Sequence, residues 1–250
     1  MAIVTRRAAL RPRDYVRVAG PDAQEFLQRM VSNDVSAGDV VDALLLTPKG
    51  RVIAPLRIWR RGGDDFLLLT EPGLGDAVRS TLLRARFAAK CEIEREEHTS
   101  TIVFGDAGGI PTDDYGERAV ERLDAEVAPT LEPAELDRLR VEAGTPAWGT
   151  EIDDKILPAE AGLDERAISY TKGCYPGQEP IARLHFRGHP NRRLRRIDVA
   201  SAKPDDEIVW NEKTVGRVTS AVPGRALGYV RTEVPEDAVL KIAGAEARLH

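Results

Sequence analysis

The chain is predicted to be an α+β fold that ends in a small antiparallel β-barrel or sandwich, and two observations carry that prediction. Up to about residue 187, stretches with helical spacing of apolar residues alternate with short strands. Beyond Arg193 the helical period disappears, and short β-rich runs follow one another, separated by Pro, Gly, Asp or Asn.

In chain order, the opening residues alternate short apolar runs with turns. Pro21 to Val31 then sets Ala23, Phe26, Leu27, Met30 and Val31 on one helical face, with Pro in the first turn. Val40 to Leu46 reads as a strand and Thr47 to Gly50 as a turn. Val52, Ala54, Leu56 and Ile58 alternate along the next strand, and Phe66 to Thr70 completes a meander. Pro55 points to an edge strand or a bulge, because proline cannot donate to a ladder. Leu74, Val78, Leu82, Ala85 and Ala89 follow helical spacing, and Cys91 to Arg95 looks like a strand. Gly105 to Gly109 lacks the spacing of a nucleotide-binding loop and reads as an ordinary one. Pro133 to Ala143 forms a third helix with Leu136, Leu139 and Ala143 on one face, and Gly144 suits a left-handed cap. The barrel strands are expected at Arg196 to Ala200, Glu207 to Trp210, Val215 to Ala221, Ala226 to Val230 and Val239 to Ile242. Arg187 to Asn191 marks the boundary, giving domains over 1–187 and 192–250.

With 250 residues, 42% hydrophobic and 31% charged, the chain has material for a real core in one large domain or two modest ones. Its 36 Lys and Arg against 41 Asp and Glu, a net charge of −5, argue against a general affinity for nucleic acid or anionic membrane. No run reaches the roughly 18 apolar residues of a membrane span, and the N-terminus lacks a signal-like apolar stretch, so a cytoplasmic protein is expected. Two cysteines, Cys91 and Cys174, build neither a disulfide framework nor a zinc site, and no metal is assigned. An iron–sulfur cluster usually takes about four thiolates, so this chain alone does not hold one in the usual way.

The most informative segment runs from Tyr170 to Arg183. It places a thiol, Cys174, in a glycine-flanked turn before a helix, with Lys172 two residues upstream. Unpaired helix amides and a nearby cation would both favour the thiolate. The plainer alternative is a buried cysteine acting as a small hydrophobe. Cys91, opening a strand, is expected to be buried with a raised pKa.

The run KGCYPGQE, Lys172 to Glu179, resembles the signature of the YgfZ-type folate-binding family. Asn33-Asp34-Val35, LLLTPKGRVIAPLR from Leu44 to Arg57, RVEAGTPAWGTEID from Arg140 and PAEAGLDE from Pro158 resemble the family's other blocks, in the same order. The resemblance implies a folate-binding part like the glycine-cleavage T-protein, built from two βα subdomains and followed by a β-barrel. It further implies tetrahydrofolate or a one-carbon derivative as cofactor, and iron–sulfur assembly or client proteins as partners. The role implied is that of an accessory factor in assembly or repair of iron–sulfur clusters, with indirect effects on enzymes that modify tRNA. Cys174 and Lys172 would then be the functional pair, with Asn33, Asp34, Gly177, Gln178, Glu179 and Arg183 at the folate.

The sequence departs from its enzyme relatives at one point. Where the aminomethyltransferases carry paired aspartates, Ala54 and Pro55 stand, and no acidic residue lies between Gly50 and Trp59. Aminomethyl transfer is therefore not expected. A one-carbon transferase using another carboxylate, or an interaction module with a vestigial pocket, are the alternatives. Asn33, Asp34 and parts of the Gly50-to-Ile58 strand are expected to line a central cavity, and Lys172 to be mostly exposed. Glu151, Asp153 and Asp154 read as solvated loop carboxylates. The basic run from Arg183 to Arg196 reads either as solvated surface or as a contact for an anionic ligand tail.

Overall fold

A computed structural model describes residues 6–250. The chain begins with β1 (Ala8–Leu10), β2 (Asp14–Ala19) and helix α1 (Ala23–Met30), followed by the meander β3 (Val40–Leu46), β4 (Val52–Gly62) and β5 (Asp65–Thr70). Helix α2 (Gly75–Ala85) leads to β6 (Glu92–Glu96), and β7 (Ser100–Phe104), β8 (Ile110–Thr112) and β9 (Ala119–Leu123) precede helix α3 (Pro133–Ala143). Two short helices, α4 (Asp164–Ala167) and α5 (Gln178–Arg187), come before the last six strands: β10 (Arg192–Val199), β11 (Glu207–Trp210), β12 (Lys213–Val222), β13 (Arg225–Arg231), β14 (Val239–Ile242) and β15 (Ala245–Leu249).

These strands form two open sheets, ordered β3-β4-β5-β2-β6 and β1-β7-β9-β8, and a closed barrel ordered β10-β13-β12-β11-β14-β15. The fold class is as expected, α+β with a C-terminal antiparallel barrel. Helices α1 and α2 bury Phe26, Leu27, Val78 and Leu82 against the first sheet, around Val16, Leu56 and Leu68. That burial, and not intrinsic propensity, holds helices this short together. Gly144 closes α3 with φ of 85°, the left-handed conformation glycine adopts without strain. The second sheet and β15 were not foreseen, because their strands are only three to five residues long.

Pro55 lies in an interior strand, a correction to the edge reading, while the bulge reading holds. Leu45 pairs with Ala54 and Leu46 with Val52, so Ile53 is the extra residue of a bulge. The Pro55 carbonyl accepts from the Thr70 hydroxyl, so its backbone faces β5, yet the β4–β5 ladder begins only at Arg57. The missing N–H therefore removes no ladder bond.

The barrel is fastened to the rest by one buried network. Glu151, with a fully buried side chain, accepts from Arg140 Nη1 at 2.7 Å, from the Ser220 hydroxyl at 2.6 Å and from the Ala147 amide at 3.0 Å. The Tyr229 hydroxyl donates to the Glu151 carbonyl at 2.6 Å. A bulge between Val218 and Ser220 re-aims β12 here. The solvated role expected of Glu151 is thus overturned: an arginine and a serine from separate elements satisfy its carboxylate, which is what permits its burial.

Candidate functional site

Both open sheets, α3, the loop 145–152 and α4 converge on a central cavity of about 350 Å³, within the size range of small-molecule sites. One side is apolar, formed by Leu136, Pro146, Trp148, Ile152 and Leu163, and Pro55 and Leu56 of β4 also line it. Ala54, the neighbour of Pro55 in β4, is fully buried in the first core.

Nine charged residues line the cavity, Arg11, Arg13, Glu71, Asp137 and Arg140 among them, and the other four form one ion-pair cluster. Asp42 and Arg57 face each other in the β3–β4 register, and Arg57 Nε donates to Asp42 at 2.9 Å. Arg166, from α4, reaches Asp42 at 2.6 Å and Asp114 at 2.9 Å, and Arg57 Nη2 lies 3.2 Å from Asp114. Burial alone would raise both carboxyls, but the two guanidinium groups outweigh it and hold Asp42 and Asp114 below the usual carboxylate range. Arg57 has a side chain only 6% exposed, and its Nη1 is buried with no partner among the described residues. A carboxylate thus reaches the cavity from β3 although β4 carries none. In sequence the signal was a charge interrupting each apolar strand, Asp42 in VVDALLL and Arg57 after Leu56. Asp114 and Arg166, on a loop and a one-turn helix, left no such mark.

Asn33 and Asp34 do not line this cavity, which corrects their expected place. Asn33 sits behind the wall, its Nδ2 donating to the carbonyls of Asp42 at 2.8 Å and Arg166 at 3.1 Å. Asp34 is engaged locally, accepting from the Ser36 hydroxyl and amide and from Gln28, and those bonds lower its pKa. The Ser32 hydroxyl donates to the Ala167 carbonyl at 2.6 Å and accepts from the Leu44 amide at 2.8 Å. The loop 31–34 is therefore a bracket for two lining strands of chain.

The KGCYPGQE segment lies on the other side of that bracket. Lys172 is half-buried and not exposed as expected, because its Nζ donates at 2.8 Å to both the Val31 and Asn33 carbonyls. Burial lowers its pKa to about 8, against the opposing pull of Asp34. Its charge is directed into loop 31–34, and among the described residues no hydrogen bond joins it to Cys174. Cys174 is exposed and Cys91 buried, and burial pushes the Cys91 thiol up. Tyr175 packs into the core beside Leu44 and Val52.

Gly177, at φ of 82°, packs onto the Thr47–Gly50 turn so closely that a Cβ would stand 2.5 Å from the Thr47 carbonyl oxygen. Its role is backbone approach, not ligand contact. Gln178 opens α5 away from the cavity. Glu179 and Arg183 pair with each other at 2.8 Å, 84% and 70% exposed. None of Gly177, Gln178, Glu179 and Arg183 lines the cavity, because α5 turns its outer face to solvent. The basic run is dispersed by pairing, Arg192 with Glu160 and Arg195 with Glu236.

Comparison with known proteins agrees with this architecture. The crystal structure of the glycine cleavage system aminomethyltransferase T from Bartonella henselae superposes with a TM-score of 0.83 across 98% of this chain and 86% of that one, at 21% identity. Residues 191–250 match the family described as the CAF17 C-terminal beta-barrel domain. The chain therefore has the aminomethyltransferase T fold, two open-sheet units around a cavity with a barrel behind them. The tRNA-modifying protein YgfZ of Klebsiella pneumoniae is 28% identical over 82% of this chain and 77% of its own length. An aminomethyltransferase of Moorella thermoacetica is 27% identical over 85% of this chain and 73% of its own. Within that fold, the C-terminal barrel match and the similarity to YgfZ proteins over most of the chain support a YgfZ-type family. No helix among the described residues is long and apolar enough to cross a membrane.

Proposed function

We propose that this chain is a folate-binding accessory factor in the assembly or repair of iron–sulfur clusters, with tetrahydrofolate or a one-carbon derivative held in the central cavity and Cys174 as the working thiol. The observation that carries the reading is the pairing of a cavity of pterin-sized volume with an exposed cysteine, the two joined through Lys172 and Asn33. The residues fit the ligand. The apolar side suits a flat ring, Asp42, Asp114 and Arg166 present hydrogen-bonding groups, and the orphaned Arg57 Nη1 is a donor that still needs an acceptor. Bound tetrahydrofolate would supply a carrier for one-carbon units. The chain's own part is to hold it and to present the thiol.

Accessory work is favoured over transfer because the carboxylates at the cavity are committed to arginines, and Ala54 and Pro55 occupy the β4 positions. The partners are then folate and iron–sulfur assembly or client proteins in the cytoplasm, with tRNA modification affected through those clients. Two measurements test this together. Titration of the purified chain with tetrahydrofolate should show saturable binding. A gene-deletion strain should lose activity of iron–sulfur enzymes, and Cys174→Ala should fail to restore it. Absence of binding would remove folate from the reading, and full rescue by Cys174→Ala would remove the thiol.

A further inference from the structure

We infer that the groove between the barrel and the segments beginning at Arg51 and Lys155 is an anion site, built for a ligand that carries two adjoining oxyanion groups, of which a diphosphate is the simplest. The inference is independent of the folate reading and concerns a different surface from the central cavity.

The groove has a volume of about 580 Å³. Four cations line it, Arg51, Lys155, Arg192 and Arg231, against two carboxylates, Glu160 and Glu233, with Asn191 beside them. The lining is therefore positive by two charges in a chain whose total is −5. Both carboxylates are already engaged, Glu160 at 3.2 Å from Arg192 and Glu233 at 3.6 Å from Arg231. Among the described residues, Arg51 and Lys155 have no carboxylate within 4 Å, and Arg51 Nη1 turns instead to the Lys155 carbonyl. Asp153 is directed into its own loop, where Oδ1 accepts from the Lys155 and Ile156 amides at 2.8 and 3.0 Å. Neither it nor Asp154 lines the groove.

The barrel side carries an independent mark. Arg192 and Arg231 are directly opposed in the β10–β13 ladder, so their side chains leave the sheet on one face. Like charges opposed in this way destabilise a strand pair, and Glu233, at 65% exposed, offsets the repulsion only weakly. An oxyanion between the two guanidinium groups would remove that cost and meet paired N–H donors of fixed geometry. Across the groove, the bond from Arg51 to the Lys155 carbonyl keeps the other two cations together. Each side thus serves one oxyanion, and a single phosphate satisfies only half of the site. A ligand that spans both sides ties the barrel to the start of β4, next to the turn on which Gly177 packs.

The test is calorimetric titration of the full chain at fixed ionic strength, without divalent cations, using inorganic pyrophosphate and orthophosphate as probes. Pyrophosphate should bind at one site per chain and at least about ten-fold more tightly than orthophosphate, since only pyrophosphate reaches both pairs of cations. Lys155→Gln and Arg231→Gln, one from each side, should each weaken pyrophosphate by about five-fold or more. Both residues are exposed, so these variants should keep the fold. Arg248→Gln, a comparably exposed arginine outside the groove, should leave the affinity unchanged. ADP separates the two sources of the chemistry: binding as tight as pyrophosphate assigns an organic diphosphate, and weaker binding assigns the free anion. No saturable binding of pyrophosphate, equal affinity for the two phosphates, or an equal loss in Arg248→Gln would overturn the assignment. So would tight binding of a short RNA with none of pyrophosphate, which would make the groove a nucleic-acid surface instead.

Discussion

Lys172 donates to two carbonyls of loop 31–34, so its truncation removes a partner from both. Lys172→Ala is expected to destabilise the fold by about 1–2 kcal/mol, against the 0.5 kcal/mol or less of an ordinary surface change. The midpoint of urea unfolding reads this directly, and an unchanged midpoint would show that water replaces the ammonium without loss. The two thiols give the second expectation at this scale. Alkylation of the folded protein near neutral pH, followed peptide by peptide, should label Cys174 well before Cys91, whose thiol is buried and raised in pKa. Faster labelling of Cys91 would reverse their roles. The exposure of Cys174 was legible in its glycine-flanked turn, and so was the burial of Cys91. The direction of the Lys172 side chain was not, because its partners lie about 140 positions earlier. Asp42 and Arg57 were visible as charges interrupting apolar strands, but their meeting with Asp114 and Arg166 was hidden for the same reason: each belongs to a different element, and only the fold brings them together.

Among the elements, α3 and β12 are joined through Arg140, Glu151 and Ser220, and the loop they fix supplies Trp148 and Ile152 to the cavity. Arg140→Leu would leave the Glu151 carboxylate buried without its cation, and a loss of about 3–5 kcal/mol is expected. Circular dichroism through thermal unfolding measures it. A loss under about 1 kcal/mol would mean that the loop relaxes and hydrates the carboxylate. Helices α1, α2 and α3 were legible because their apolar residues repeat with the helical period. Strands β3, β4 and β5 were legible because they are long and apolar. Strands β7 to β9 passed unnoticed, since a strand of three to five residues offers too few alternations to show a period. Glu151 was misread on similar grounds, as its neighbours Asp153 and Asp154 are ordinary polar loop residues and nothing local distinguishes it.

At the scale of the whole molecule, the ion pairs set an acid limit. Asp42, Asp114 and Glu121 all have folded pKa values below their ordinary ones, their arginine partners outweighing burial. Groups of this kind contribute stability that is fully present above the unfolded carboxylate range, near pH 4, and lost as pH falls through the lower folded values. Urea unfolding repeated between pH 6 and pH 3 should therefore show stability dropping steeply below about pH 4. A flat profile down to pH 3 would mean that these pairs are no better than exposed ones.

The bracket at residues 31–34 has a thermodynamic consequence. Its far side is held by Lys172, and its near side holds the backbone of Asp42 and Arg166. A ligand that binds only the arrangement with the bracket closed must stabilise the Cys174 loop against opening, and an adduct on Cys174 that favours the open arrangement weakens the ligand by the factor by which the ligand opposes that adduct. Amide hydrogen exchange across residues 170–177 should slow when tetrahydrofolate saturates the cavity. Modification of Cys174 with a group too bulky for the closed loop should lower the affinity for folate. A cysteine that touches no part of the cavity would then report, through one lysine and one asparagine, whether the cavity is full.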